Sequence, residues 1–552
     1  MIERFLRRRR VRTSRVAAVA FGIAALTLPA AGVAQRDPLS GFDRYVDQAL
    51  ARWDVPGVAV VIVRGDSIAL IKGYGKRQAG RPEPVTTETL FEIGSTSKAF
   101  SSALLAMLVD DGALSWDDPV TRHLPWFELW DPWVTREVTL RDLLSHRVGV
   151  TGLHNGLLTA SREEIVRRTR HIEPNIPFRS AYDYSNMMYA TAGLVAEAAA
   201  GKRWEDLLAE RLLEPLGMRS TTIDISRFFD STAFTHCFYC PLPKRPVSID
   251  DARRGADVAM PHLVIDGTLT TIPWQSYDNA ASAGSVISNA RDLAQWLRLL
   301  LGEGTHEGRA LIRAETFREM HRPQSIIRPA GWIALVDSLS PSTHFWNYGL
   351  GWRMNDYRGR KVVWHTGGIV GFLAMVGLVP EERLGFAVLS NGEIDKMLPQ
   401  SLAYRIIDAH LGAPVRDWTT ELHAATRAGG MLAGAGEVAL EARRAKDTRP
   451  SLPLERMAGT YRSPIYGDVT VSLEDGTLRF RIPNGAEGVL RHWHYDVFRL
   501  TLDATWTGGL FATFSISPAG GVSEMAIQAM GSFARIGSQA SPSPSGTIRH
   551  GP

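Results

Sequence analysis

Strand-like patterning occurs in two blocks at opposite ends of a long, mostly helical stretch, and this constrains the fold more than any other feature. Residues 58–63 (Val-Ala-Val-Val-Ile-Val) and 68–71 (Ile-Ala-Leu-Ile) flank Arg64-Gly65-Asp66-Ser67 and read as a β-hairpin. Strand character returns at 361–364, 372–379 and 385–389, with 380–383 as the turn between the last two. Between the blocks, residues 96–109 carry apolar side chains at helical spacing, and Asp110-Asp111-Gly112 ends that helix. Residues 120–340 are mostly helices and long loops. Further helices at 42–53 and 398–411 bracket the whole. Strands at both ends with helices between predict an α+β (mixed α/β) domain whose terminal strands share one antiparallel sheet.

A chain of 552 residues is long for one core, so a large domain plus a smaller one is expected. Residues 413–450, rich in Ala, Arg and Glu and carrying Gly429-Gly430 and Gly434, predict a partly helical linker. From Leu454 onward, short alternating runs such as 469–473 and 477–482, separated by Glu474-Asp475-Gly476, recur to about Ile536. They predict a small antiparallel barrel over 451–537. Residues 538–552, Ser/Pro-rich as far as Ser545, read as a disordered tail.

The formal net charge of +4 suggests a nucleic-acid or membrane-surface partner at first sight. Seven arginines against Glu3 give residues 1–15 a charge of +6, and residues 16–34 carry none. Basic region, apolar run and a small-residue end at Ala30, Ala31, Gly32 and Ala34 have the layout of a secretory signal peptide over 1–34. An uncleaved anchor is the alternative, but Pro29 leaves the apolar run short of the ~20 residues a span needs. Subtracting the leader's +6 from +4 leaves −2, and no later stretch interleaves Lys/Arg with aromatics. Nucleic acid is therefore dropped as a partner, no stable membrane span is expected in the mature chain, and a periplasmic or secreted location is expected. The two cysteines, Cys237 and Cys240, sit in His236-Cys237-Phe238-Tyr239-Cys240-Pro241. A zinc site normally needs four ligands and only His236 is near, so a local staple or free thiols are favoured and no metal site is assigned.

Three short motifs carry chemistry. Ser95-Thr96-Ser97-Lys98 opens the 96–109 helix, and its spacing puts Ser95 and Lys98 one turn apart on one face. A serine hydroxyl becomes a good nucleophile when a neighbouring base takes its proton, and a buried lysine of depressed pKa can be that base. The chain holds only eight lysines, and no other Ser-x-x-Lys. Tyr184-Ser185-Asn186 supplies a phenol that can relay a proton and an amide that can fix Lys98 or meet a substrate carbonyl. His365-Thr366-Gly367-Gly368 directly follows the strand ending at Trp364; its glycines permit close approach, and the Gly368 N–H can pair with that of Ser95 as an oxyanion hole. His365 and Thr366 are then expected to face the substrate. Each motif alone also occurs as an ordinary helix start or turn.

Taken in order, Ser-x-x-Lys, Tyr-x-Asn and His-Thr-Gly resemble the penicillin-recognising serine hydrolase family of class C β-lactamases, low-molecular-weight penicillin-binding proteins, D-aminopeptidases and related esterases. Leu143-Leu144-Ser145-His146, Glu214-Pro215-Leu216-Gly217-Met218, Ala283-Gly284 followed by Asp292-Leu293-Ala294, and Tyr348-Gly349-Leu350-Gly351-Trp352 also match. The resemblance covers roughly residues 40–412. It implies a catalytic domain over 35–412 with an antiparallel sheet between helical layers, followed by a lipocalin-like barrel. It also implies an acyl-enzyme on Ser95, proton work shared by Lys98 and Tyr184, substrate contacts from Asn186, His365, Thr366, Gly367 and Gly368, and no cofactor. Relatives that act on β-lactams or D,D-peptides usually carry Lys-Thr-Gly where this chain has His365-Thr366-Gly367. A mostly neutral histidine there puts strong recognition of a β-lactam carboxylate in doubt. The expected activity is an exported serine peptidase or amidase on short peptides, including D-amino-acid-containing or nonribosomal ones such as linearised cyclic peptides. A carboxylesterase and a β-lactamase are the enzymatic alternatives. A non-catalytic protein that binds cell-wall fragments is the alternative from another class.

Overall fold

In the computed structural model, the described residues are 38–151, 160–235, 240–242, 246–393, 396–483, 485–503 and 509–536. The leader over 1–34, Cys237 and the tail over 538–552 lie outside them. Cys240 is disulfide-bonded.

The two strand blocks meet. Eight strands form one sheet in the order Ser325–Ile326, Trp346–Tyr348, Arg353–Tyr357, Arg360–Ile369, Phe372–Val379, Leu384–Ser390, Gly57–Arg64, Ser67–Gly75. Every neighbouring pair is antiparallel. Gly57–Arg64 is the splice: it pairs with Ser67–Gly75 through the Gly65-Asp66 turn on one side and with Leu384–Ser390 (Val58↔Ser390) on the other. Successive strand side chains point to opposite faces, so a strand buried at every position must be covered on both faces. Phe372–Val379 and Leu384–Ser390 are buried throughout, as is Gly57–Arg64 up to Val63. Helices Ala290–Leu301 and Leu398–His410 pack on these strands. The expected α+β plan with helical cover is therefore the one observed.

The Ser97–Asp110 helix is apolar nearly all round, the pattern of a helix at the centre of a protein rather than on its surface. Ser97 through Leu108 are all buried, and Phe100 stacks on Trp296 with ring centroids 4.3 Å apart.

One local expectation is corrected. His365-Thr366-Gly367-Gly368 does not follow a strand ending at Trp364 but belongs to it. The strand runs Arg360–Ile369, and Gly367 and Gly368 still pair with Ala374 and Leu373. The neighbouring strand continues alongside, so backbone pairing outweighs the low strand propensity of glycine. The partly helical segment expected over 413–450 contains a 25-residue helix, Trp418–Ala442, uninterrupted by Gly429-Gly430. Its first turn is anchored: Trp418 is buried, donates to Asp408 Oδ2 at 2.7 Å and stacks on Tyr404 at 4.6 Å.

Eight further strands, from Gly459–Ser463 to Gly531–Ile536, close into an antiparallel barrel. Val469, Val471, Leu478, Phe480, Phe498, Leu500, Phe514, Met525 and Phe533 are buried. An eight-stranded barrel is about wide enough for side chains to fill, and these large apolar groups make it a packed core.

Candidate active site

Gly94–Thr96 forms a single 3-10 turn that leads straight into the Ser97–Asp110 helix. Gly94 adopts φ +52°, a conformation that costs glycine little. Close approach reinforces the need. A Cβ on Gly94 would lie 2.7 Å from the Gly368 nitrogen. A Cβ on Gly367 would lie 1.8 Å from the Ile93 carbonyl oxygen and 2.8 Å from the Ser95 nitrogen. The glycines thus let the Arg360–Ile369 strand touch the serine turn backbone to backbone, which sets the Ser95 and Gly368 amides side by side.

The Ser95 hydroxyl oxygen sits 2.7 Å from the Tyr184 hydroxyl and 3.1 Å from Lys98 Nζ. Lys98 is fully buried, and its Nζ also lies 2.7 Å from Asn186 Oδ1 and 2.8 Å from the Ala283 carbonyl oxygen. Asn186 Nδ2 donates to the Tyr277 hydroxyl at 2.9 Å, which orients its amide oxygen toward the lysine. No carboxylate pairs with Lys98 among the described residues. Burial first, and the Arg353 cation second, hold its pKa well below that of an ordinary lysine. A neutral amine has two N–H groups and one lone pair. Asn186 Oδ1 and the Ala283 oxygen only accept, so they take the two N–H groups and the lone pair is left for the Ser95 hydroxyl proton. Burial pushes the Tyr184 phenol the other way, up from its usual value, so it stays protonated and donates to Ser95. Tyr184 is reached by a loop on which Thr151 Oγ1 donates to its carbonyl at 2.5 Å.

The sequence reading placed His365 toward the substrate. It is instead fully buried, with Nε2 3.0 Å from the Tyr348 hydroxyl and Nδ1 2.6 Å from the Thr366 carbonyl oxygen. Burial, then the Arg353 and Lys98 cations, lower its pKa well below that of an ordinary histidine, so it is neutral at pH 7. Two residues before Gly367, it shares the strand face that meets the serine turn, and its ring packs 6.4 Å from that of Tyr184 and 5.8 Å from that of Tyr348, which closes it off from solvent. Thr366 is nearly buried, with Oγ1 3.5 Å from Arg353 Nη1.

Arg353 and His146 were not singled out from the sequence. Arg353 is 8% exposed and sits among the rings of Tyr184, Trp332, Tyr348 and Trp364, each centroid within 6.0 Å of its Cζ. Beyond the rings it reaches two neutral hydroxyls, Thr366 Oγ1 from Nη1 at 3.5 Å and Tyr182 from Nη2 at 3.3 Å, and Nε has no hydrogen-bond partner. A buried cation normally carries a paired acid, and none reaches Arg353 among the described residues. Arg353 lies on the neighbouring strand, where it pairs with Trp364. Its signal was present: it directly follows the Tyr348–Trp352 match. His146, at the end of another matched segment, adopts φ +55°, and its Nδ1 accepts from the Ser185 N–H at 3.0 Å. Its ring lies 4.3 Å from that of Tyr184, so it buttresses the Tyr184-Ser185-Asn186 loop. Among the described residues, no three His, Cys, Asp or Glu side chains gather as they would around a metal ion.

Comparison with known proteins matches this geometry. The sequence model described as Beta-lactamase fits residues 42–411, two thirds of the chain. The chain belongs to the Beta-lactamase family. A second model, a domain of unknown function (DUF3471), fits residues 443–541. Unguisins hydrolase ungD' of Aspergillus campestris is 30% identical over 470 residues, covering 79% of this chain and 78% of that protein. Penicillin-binding protein 4 of Amycolatopsis lactamdurans is 29% identical over 350 residues, covering 62% of this chain and 82% of its own. The octameric penicillin-binding protein homologue of Pyrococcus abyssi shares the fold over 90% of this chain and 100% of its own, with a TM-score of 0.57 at 20% identity. This member of the family is a serine hydrolase of the β-lactamase fold.

Proposed function

We propose that this protein is exported by its 1–34 leader and hydrolyses an amide bond of a short peptide through an acyl-enzyme on Ser95. The carrying observation is the Ser95 hydroxyl held between a protonated phenol at 2.7 Å and a buried, carboxylate-free lysine at 3.1 Å. Lys98 takes the Ser95 proton as Oγ bonds to the substrate carbonyl carbon. The resulting oxyanion lies against the Ser95 and Gly368 amides. As the C–N bond breaks, Tyr184 protonates the leaving nitrogen, which departs as an amine. A water then loses a proton to the Tyr184 phenolate and attacks the acyl carbon. Ser95 leaves with the proton returned by Lys98, and the acid product is released with both groups restored. Asn186 holds Lys98 in place throughout.

Arg353 narrows the substrate class to peptides with a carboxylate close to the scissile bond, which would supply the partner its guanidinium lacks. The similarity to a hydrolase named for unguisins supports a peptide-like substrate. The lysine lone pair and tyrosine donor favour amide cleavage over an ester-only activity, because an amine leaving group needs a proton that an alkoxide can do without.

A fluorophosphonate probe followed by peptide mass spectrometry tests the nucleophile, and a panel of D- and L-amino acid peptides, p-nitrophenyl esters and a chromogenic cephalosporin tests the class. The adduct is expected on Ser95 and absent from Ser95→Ala. A wild-type protein without a covalent adduct would point to the cell-wall-fragment-binding alternative. N-terminal sequencing of protein recovered outside the cytoplasm tests removal of the leader after Ala34.

A further inference from the structure

The exposed half of the Trp418–Ala442 helix has no evident reason to be stable as it stands. Residues 430–443 are all exposed. Gly429, Gly430, Gly434 and Gly436 each weaken a helix by ~1 kcal/mol relative to alanine. The same stretch shows water four large apolar side chains, Met431 at 73% exposure, Leu432 at 75%, Val438 at 71% and, off to one side, Leu440 at 39%. They are ordered on the helix. Ala428, Met431, Leu432, Ala435, Val438, Ala439 and Ala442 recur at the three-and-four spacing that defines a packing seam.

The rest of the molecule holds the opposite side. Thr426 reaches the Met397 sulfur, Glu437 pairs with Arg499 of the barrel at 2.6 Å, and Arg444 donates to the Trp493 carbonyl. At ~100° per residue these three lie together, roughly half a turn from the centre of the seam at Ala435. The seam therefore faces away from the protein.

We propose that this seam is the interface with a second copy of the chain, the two helices packing antiparallel about a two-fold axis near Gly434. Charge placement selects this occupant. Arg427 and Glu441 flank the same edge of the seam two heptads apart, equidistant from Gly434. In an antiparallel pair Arg427 of one copy falls opposite Glu441 of the other, twice over by symmetry; Glu441, which pairs with Arg444 at 3.0 Å within its own chain, remains exposed to receive it. Alanine at 428, 435 and 442, and glycine at 434, let the backbones approach closely, with Met431 of one copy lying over Ala435 of the other. The seam from Arg427 to Ala442 spans about 24 Å. That is at the small end of specific interfaces, so a dissociation constant on the order of micromolar is expected.

Sedimentation velocity of the mature full-length protein up to ~100 μM is the test, with circular dichroism as the folding control. A concentration-dependent dimer is expected. Ala435→Glu should raise its dissociation constant at least ~10-fold. Arg427→Glu should weaken it, and adding Glu441→Arg should restore it. Gly434→Cys should give a cross-linked dimer on mild oxidation, since no free cysteine exists among the described residues to compete. A protein that stays monomeric at the highest concentration, or a dimer indifferent to Ala435→Glu, overturns the proposal. So does a double charge reversal that fails to restore association. A monomer that co-sediments with lipid vesicles would instead assign the seam to a membrane surface.

Discussion

Replacing Arg353 with methionine should lower activity and raise stability together. In the free protein the guanidinium is 8% exposed, holds Tyr182 at 3.3 Å and Thr366 at 3.5 Å, and leaves Nε unbonded. Both hydrogen bonds are long and go to neutral hydroxyls, so the cation's desolvation is offset by the four ring faces around it and not by a carboxylate. A substrate carboxylate would add charge-assisted hydrogen bonds worth about 1.5–3 kcal/mol, or roughly 10- to 150-fold in kcat/KM. Methionine preserves most of the packing against Trp332 and Trp364 and removes only the charge and donors. Arg353→Met should therefore cost about 10- to 150-fold in kcat/KM on peptides with a free carboxylate beside the scissile bond. Their carboxamide counterparts should change by less than about 3-fold. Arg353 also helps depress the Lys98 pKa, so rates need comparing across pH; the acid-to-amide ratio cancels that shared effect. Resistance to urea should rise by about 1–3 kcal/mol, because an unpaired buried charge has been removed. Equal losses on acid and amide substrates would refute the carboxylate role, and reduced urea resistance would refute the account of the unpaired cation.

Tyr184→Phe keeps the ring packing but removes the proton donor to the leaving amine, and should lower kcat on amides by about 10²-fold or more; near-normal single-turnover rates would exclude that role. Lys98 must be neutral to accept the Ser95 proton and its pKa is lowered, so activity should persist well below the ordinary lysine range and fall only as pH drops through that lowered value. Lys98→Arg, which keeps a charge at all accessible pH, should be inactive throughout. Gly367→Ala pushes a methyl group into the Ile93 carbonyl and the Ser95 nitrogen and should cost about 10²-fold or more in kcat by displacing an oxyanion donor; full activity would show that the strand and serine turn can separate freely. Finally, burial lowers the pKa of His262 to about 4 and of His321 to about 3, and lowers His146 and His365 well below their usual value. These groups bind protons near pH 6.5 when unfolded but resist them when folded, so stability should fall below pH 6.5 by about 1.4 kcal/mol per pH unit for each histidine. Urea midpoints that are flat from pH 7 to about 5 would contradict this.

Local sequence made part of the site legible. Ser95 and Lys98 are one helical turn apart, and a helix delivers both to the same face whatever surrounds it. Tyr184 and Asn186 could be named as a motif, but their convergence on Ser95 depends on a loop tied to His146 and Thr151. The strand was ended at Trp364, one residue before His365, while the adjacent Phe372–Val379 strand keeps the motif paired as far as Ile369 and His365 packs against Tyr184 and Tyr348. Arg353 was passed over because a lone arginine in a strand carries no periodic signal. What distinguishes it is that no acid reaches it among the described residues, which only neighbours distant in sequence can reveal.

Periodicity and turn residues by themselves determined the hairpin of 58–63 and 68–71, the strands at 372–379 and 385–389, the helix at 96–109 and the alternation of the barrel, because these follow from interactions within a few residues. The order of three short motifs determined the family. Tertiary structure decided the rest. The Lys98 pKa is depressed because the fold buries it with no carboxylate among the described residues, burial likewise keeps Tyr184 protonated, and strand register sets the Arg353 cation among the rings beside them. Protonation and charge pairing depend on the dielectric surroundings and on partners tens to hundreds of residues away, and those exist only once the two ends of the domain have joined in one sheet.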